Sequence, residues 1–254
     1  MRTLGILPLA WLVLLQGARA EEVVASVAAS LRAPSTEIVR RFEAEHPGAK
    51  LLLAFGASNE LASQIEAGAP VEVFLAADEE SVARLASKGL LLEGSVVPFA
   101  GNRLVVVRPD TAELRLAEPR DLVQPALRRL ALPGEGVPLG HYAREWLTRR
   151  GILADLADRI VVTANAPATL AAVELGQADA AIVYATDARV AKRARVAFDI
   201  PDAEQPRIRY VGALTHRAGP GARAFLDFVR GPGATILEAA GFRAAPDPEP
   251  SGSP

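Results

Sequence analysis

Two hydroxyl-bearing turns hold the chemistry that can be read first. Residues 28–31 are Ala-Ala-Ser-Leu, and residues 55–58 are Phe-Gly-Ala-Ser. Each places a serine, Ser30 or Ser58, where a short apolar β-run gives way to a helical pattern. The first turn of a helix leaves its backbone N–H groups without intrahelical partners. A serine there either caps the helix or joins those N–H groups in holding an anion. For each serine taken alone, capping is the ordinary role. Two such turns in one chain describe a neutral, donor-rich cradle suited to a tetrahedral oxyanion.

Other chemistries find little support. The chain has no cysteine, which removes disulfides, thiolate metal sites and thiol catalysis. Gly56-Ala57-Ser58 is half of a nucleophile elbow, but Glu60 stands where the second glycine is needed. An exported hydrolase using Ser30 or Ser58 would need a histidine partner. His46, His141 and His216 are scattered and form no ligand pair at short spacing. His141 and Glu145 fall at i, i+4 and read as a helix surface pair. No phosphate-binding loop of the Gly-x-x-x-x-Gly-Lys type is present.

The elements that must position the two serines alternate along the chain. Val23–Ala28 reads as a strand, followed by a helix carrying Leu31, Ser35, Ile38 and Phe42 and ending near His46-Pro47-Gly48. Leu51–Phe55 is a second strand, with a helix over Glu60–Ala67 closed by Gly68. Val71–Ala76 is a third, and Asp78 caps a helix carrying Val82 and Leu85 that Gly89 closes. A second block has strands at Arg103–Arg108, Leu130–Leu132, Ile160–Thr163 and Ala180–Tyr184. Its helices are Tyr142–Arg149 and Pro167–Leu175. Arg207–Leu214 reads as a return strand, before closing helices around Ala222–Val229 and Ala234–Ala240. This alternation predicts an α/β fold with largely parallel strands. No long linker interrupts it, so two lobes would be joined by short strand crossings near Val97–Asn102 and Glu204–Arg209.

Composition sets the compartment and the partners. Of 254 residues, 50% are hydrophobic and 23% charged, enough for one large or two small globular units. Residues 1–20 carry Arg2, an apolar run over Leu4–Leu15 and Ala18-Arg19-Ala20 before Glu21, which reads as a signal peptide cleaved after Ala20. The apolar run of about a dozen residues is short for a membrane span. Removing Arg2 and Arg19 leaves 26 basic against 30 acidic residues, a net charge of −4. An acidic excess argues against nucleic acid as a partner. Any anion site must then work through local dipoles. Residues 244–254 are rich in Pro and Ser and read as a disordered tail.

The order and spacing of several short strings resemble the periplasmic molybdate-binding proteins of ABC transporters. They are Ala-Ala-Ser-Leu at 28–31, Gln-Ile-Glu-Ala-Gly-Ala-Pro at 64–70 and Val-Phe-Leu-Ala-Ala-Asp at 73–78. They continue with Gly-Asn-Arg-Leu-Val-Val-Val at 101–107, Val-Pro-Leu-Gly-His-Tyr-Ala at 137–143 and Ala-Ile-Val-Tyr-Ala-Thr-Asp-Ala at 181–188. The likeness covers about Val23 to Phe242. Carried over motif by motif, it implies an oxyanion held by the hydroxyls of Ser30, Ser58 and Tyr184 and by the backbone amides of Leu139 and Ala166. The run Asn165-Ala166-Pro167 departs from the family, which often has an acid or amide, then Val, then Arg. Leu31-Arg32-Ala33-Pro34 likewise places a proline where the first helix begins, and Arg32 there reads as solvent-facing.

The resemblance implies a two-lobed α/β binding protein of type II. Lobe 1 would comprise 21–98 plus 205–243, lobe 2 would comprise 99–204, and the ligand cleft would lie between them. It implies molybdate and tungstate as ligands, molybdenum being bound only as molybdate through the same five residues, with no further cofactor. It also implies delivery to a membrane permease and its ATPase, a monomer, and no catalysis. The same fold holding sulfate, another oxyanion or a small organic acid is the alternative. The residue types suit an anion site, since a fully ionised oxyanion has acceptors only, and Ser, Tyr and backbone N–H all donate. Phosphate retains a proton near neutral pH and would need an acceptor.

Overall fold

The computed structural model describes residues 21–246, so the signal peptide and the tail beyond residue 246 lie outside the described residues. Strand β1 (Glu21–Ala28) leads through a 3-10 turn (Ala29–Leu31) into α1 (Arg32–Glu45). Then come β2 (Ala49–Gly56), α2 (Ser58–Glu66), β3 (Val73–Ala76), α3 (Glu79–Ser87) and β4 (Val97–Gly101). The second block runs β5 (Leu104–Pro109), β6 (Leu130–Pro133), α4 (Pro138–Arg149), α5 (Leu153–Leu156), β7 (Ile160–Thr163), α6 (Ala166–Glu174), β8 (Ala180–Tyr184), α7 (Ala185–Arg189) and β9 (Ala194–Asp199). The chain closes with β10 (Arg209–Leu214), α8 (Pro220–Arg230) and α9 (Pro232–Ala239).

These strands form two five-stranded sheets, ordered β2-β1-β3-β10-β4 and β7-β6-β8-β5-β9. In the first, β1 pairs in parallel with β2 and β3, and β10 runs antiparallel to β3 and β4. In the second, β6 pairs in parallel with β7 and β8, and β5 runs antiparallel to β8 and β9. Each sheet is therefore a parallel trio, as the strand–helix alternation requires, extended by strands that belong to the crossings. The antiparallel pairing arises because β4 runs directly into β5 through Asn102-Arg103, while β10 returns from the other side.

The strand pairing carries residues 99–101 with the first sheet, where Ala100 faces Tyr210 and Gly101 faces Arg209, although the sequence boundary put them in the second unit. The start of the expected disordered tail is also placed. Arg243 exchanges both backbone hydrogen bonds with Gly101, at 2.7 and 2.9 Å. Ala244 O and Pro246 Cδ lie 2.7 and 3.2 Å from where a Gly101 side chain would begin. Helix α4 starts at Pro138 and not at Tyr142, with proline in the first turn where its missing N–H costs nothing. Strand β9 has half-exposed, charged positions and gave no apolar run to read.

Each strand sends alternate residues to opposite faces. Val73 and Leu75 join a large apolar cluster that continues through Phe99 and Tyr210 to Leu104, Val106 and Trp146, so the two sheets share one core. Phe74 and Ala76 face α2 and α3, packing with Leu61, Ile65, Val82 and Leu85. Val105 and Val107 likewise pack with Leu170 and Val173 of α6. The return crossing is stitched by Gln205, which accepts from the Leu104 N–H at 2.8 Å and donates to the Leu104 and Ile200 carbonyls at 2.9 and 2.8 Å. Helix α1 is anchored by Phe42, fully buried, its ring centroid 5.2 Å from Phe225 and 5.6 Å from Phe228 of α8. Phe42→Ala is expected to lower stability by about 3–5 kcal/mol, read as a lower urea midpoint at unchanged slope.

Candidate functional site

The carboxyl ends of the six parallel strands converge on one small cavity, of about 20 Å³, between the sheets. β1, β2 and β3 deliver Ser30, Ser58 and Ala77, and β6, β7 and β8 deliver Leu139, Ala166 and Tyr184. All five residues named from the sequence thus line a single pocket, with Ala77 and Asn165 among its other lining residues. None of the described residues lining it is charged.

Neither serine caps its helix. Ser58 is the first residue of α2, where Ala57 holds the N-cap position, and Ser30 lies inside the 3-10 turn behind Ala28. Neither N-cap residue has a side-chain cap hydrogen bond. Both hydroxyls are instead engaged from behind. Ser58 Oγ accepts from the Ala77 N–H at 3.0 Å, and Ser30 Oγ lies 2.9 Å from the Tyr210 hydroxyl. A hydroxyl whose oxygen already accepts has its hydrogen left to give.

The two backbone positions follow from helix starts. In α4, Pro138 has no N–H, and the first intrahelical bond runs from His141 to Val137 O, which leaves the Leu139 N–H without an intrahelical partner. Gly140 is needed here because a Cβ would meet Gly134 O at 2.2 Å and Pro133 O at 2.7 Å, so the helix start presses against the end of β6. In α6, Asn165 is the N-cap and its side chain accepts from the Ala168 N–H at 3.1 Å. Pro167 has no N–H, and Thr169 bonds back to Asn165 O. The Asn-Ala-Pro run that departs from the family therefore leaves Ala166 as the one first-turn donor not consumed by the helix or its cap.

Tyr184 completes the ring from the end of β8. Its hydroxyl is buried and has no hydrogen-bond partner among the described residues. The nearby Tyr210 hydroxyl acts on it electrostatically, without hydrogen-bond geometry. Burial, then the neighbouring tyrosines and carboxylates, hold the Tyr184 phenol well above its usual range, so it stays protonated and can donate. Helix starts at Ser58, Pro138 and Ala166 add partial positive charge without a cation. Arg32 lies outside the ring, its guanidinium 4.2 Å over the Phe55 ring.

The remaining signals resolve as structure. His46 Nδ1 sits 3.1 Å from Phe42 O with its ring stacked on Phe42, and His216 Nε2 sits 2.9 Å from Gly89 O. Glu145 pairs with Arg149 at 3.4 Å, one turn on, and not with His141, whose ring lies edge-on to Tyr142. Asp78 occupies the N-cap position of α3 but its carboxylate accepts from the Ser81 hydroxyl at 3.1 Å instead of capping. Sequence reasoning missed Tyr210 and Asn102, which stand behind the ring, and Ala77, which lines the cavity beside Ser58. Asn102 lay in a motif already singled out, and Tyr210 stands in the return strand between Arg209 and the apolar run Val211–Leu214.

With two α/β sheets and a donor-lined cleft at their strand ends, the architecture is that of a solute-binding protein. The chain belongs to the family described as bacterial extracellular solute-binding protein, whose model matches residues 23–243. It is similar to the molybdate-binding protein ModA of Mycobacterium tuberculosis (33% identical, 89% of this chain and 85% of that one). ModA of Escherichia coli is 30% identical over 87% of this chain and 88% of its own length. The solved periplasmic molybdate-binding protein of Azotobacter vinelandii superposes with a TM-score of 0.77 at 25% identity, over 89% of this chain and all of that one. The resemblance drawn from the short motifs is thus met along most of the chain.

Two buried carboxyls flank the cleft. Burial pushes Asp78 up to about 6, moderated by the Ser81 hydrogen bond, and burial pushes Asp187 up to about 7. One oxygen of each has no hydrogen-bond partner among the described residues. An unfolded aspartate releases its proton near pH 4 (about 3.9), so between there and about pH 7 the folded chain binds more protons than the unfolded one. Stability is therefore expected to fall as pH rises through that window. Asp187→Asn should flatten the fall, adding on the order of 2–4 kcal/mol near pH 8 and little near pH 4, read by urea unfolding across the range.

Proposed function

We propose that this chain captures molybdate, and with it tungstate, outside the cytoplasmic membrane and delivers it to an ABC permease and its ATPase. The observation that carries this reading is the uncharged, all-donor cavity built from both sheets. Ser30, Ser58, Tyr184 and the amides of Leu139 and Ala166 are its ligand-holding groups. Each hydrogen bond to an ionised oxygen contributes about 1.5–3 kcal/mol, and a carboxylate in the ring would repel the dianion. The likeness to ModA proteins along most of the chain supports the choice of ligand.

The two units are a lobe of three parallel strands with β4 and β10, and a second lobe around β5 to β9, hinged at residues 102–103 and 200–208. Donors from both lobes favour the closed arrangement when the ion is bound, since only the closed state offers the complete ring. The mature chain begins at Glu21 and works as a monomer that catalyses no reaction.

Isothermal titration of residues 21–254 with molybdate, tungstate, sulfate and phosphate tests the reading. Stoichiometric, tight binding of the first two is expected. Ser30→Ala/Ser58→Ala should abolish most of it, and Tyr184→Phe should weaken it about 10- to 100-fold. Binding of sulfate that molybdate fails to displace would overturn the ligand and leave the fold.

A further inference from the structure

Behind Ser30 lies a chain of side chains whose hydrogen-bond direction is determined at its far end. Asn102 sits at the crossing between the sheets, and its Oδ1 accepts from the Arg103 N–H at 2.9 Å. That bond orients the amide, because the reversed amide would set two donors against each other. Asn102 Nδ2 then donates to Thr186 Oγ1 at 2.9 Å and to the Tyr210 hydroxyl at 3.3 Å. Tyr210 is fully buried, and its oxygen already accepts from Asn102. Among the described residues the acceptor in hydrogen-bond geometry for its own hydrogen is Ser30 Oγ, at 2.9 Å, since the Tyr210 oxygen is already taken by Asn102. With that oxygen accepting, the Ser30 hydroxyl hydrogen is left to point into the cavity.

We propose that Asn102 and Tyr210 are positioning residues that hold the Ser30 hydroxyl as a donor and thereby make the site reject tetrahedral oxyanions that carry a proton. This deepens the proposed oxyanion site and rests on that reading. A freely rotating serine offers a lone pair as readily as a hydrogen, and so accommodates the P–OH of hydrogen phosphate. Ser58 needs no such relay because the backbone N–H of Ala77, which has no rotational freedom, does the same work. The relay also joins three parts of the fold: Asn102 from the crossing, Thr186 from α7 beside β8, and Tyr210 from β10.

The test is a ratio and not an affinity. Tyr210→Phe keeps the buried ring and removes the relay; Asn102→Asp keeps the shape and the acceptor facing Arg103, and replaces the Nδ2 donor facing Tyr210 with an accepting carboxylate oxygen, reversing the chain. Titrations of each with molybdate, sulfate and phosphate are compared with the unaltered chain, with thermal unfolding as a check on folding. Discrimination against phosphate, relative to the tetrahedral dianion that the unaltered chain binds best, is expected to fall by about tenfold or more in Tyr210→Phe. In Asn102→Asp the dianion itself should weaken more than phosphate does. A merely structural role would weaken all anions by the same factor, and an unchanged ratio in a folded Tyr210→Phe overturns the proposal. If the unaltered chain prefers sulfate to molybdate, the molybdate reading fails while the ratio, taken against sulfate, still decides on the relay. A chain that binds none of these anions overturns both.

Discussion

Parallel pairing of β1 with β2 and β3, and of β6 with β7 and β8, is the constraint from which the rest of the molecule follows. Parallel neighbours need a crossover, and helical crossovers start at the carboxyl ends of the strands they leave. Every helix start in each trio is thereby brought to one edge. The residues at these edges have free N–H groups because a helix cannot satisfy its own first turn. Ser30, Ser58, Leu139, Ala166 and Tyr184 meet around one cavity for that reason, though as many as 154 positions separate the first from the last in sequence.

A chain of acidic net charge that is to hold an anion must solve the problem locally. Among the described residues no arginine or lysine lines the cavity, and its lining is polar donors and small apolar groups. What turns these groups into a consistent set is what lies behind them. Ala77 N–H occupies the oxygen of Ser58, Tyr210 engages that of Ser30, and Asn165 takes the Ala168 N–H so that Ala166 is the donor left over. Burial keeps the Tyr184 phenol protonated. Donor polarity is thus a property of the supporting contacts as much as of the lining residues.

Much of the fold was legible because its signals are local. The apolar runs of β1, β3 and β8 are buried along most of their length, and the spacing of Ser35, Ile38 and Phe42 marks the buried face of α1. Strand β9, with Arg195 and Asp199 exposed, carried no such run and was invisible. The bland reading of both serines as helix caps was reasonable for a serine beside a helix start and does not survive, because Ala57 and Ala28 hold the cap positions. A short run such as Val-Pro-Phe-Ala-Gly does not announce which neighbour it will pair with, and only its register against β10 places it in the first sheet.

Taken by itself, the order of residues determined the strand–helix alternation, the two serine turns, the absence of thiol chemistry and the motifs that carry the family likeness. These depend on neighbours within a few positions, or on short strings in a set order. Only the tertiary structure decided that five distant residues share one cavity, and that Ser30 is backed by a tyrosine 180 positions away. It also decided that Asp187 is buried deeply enough to hold its proton near neutrality. Burial, hydrogen-bond direction and cavity shape are relations between segments that meet only when the two sheets have formed, so no local pattern can encode them.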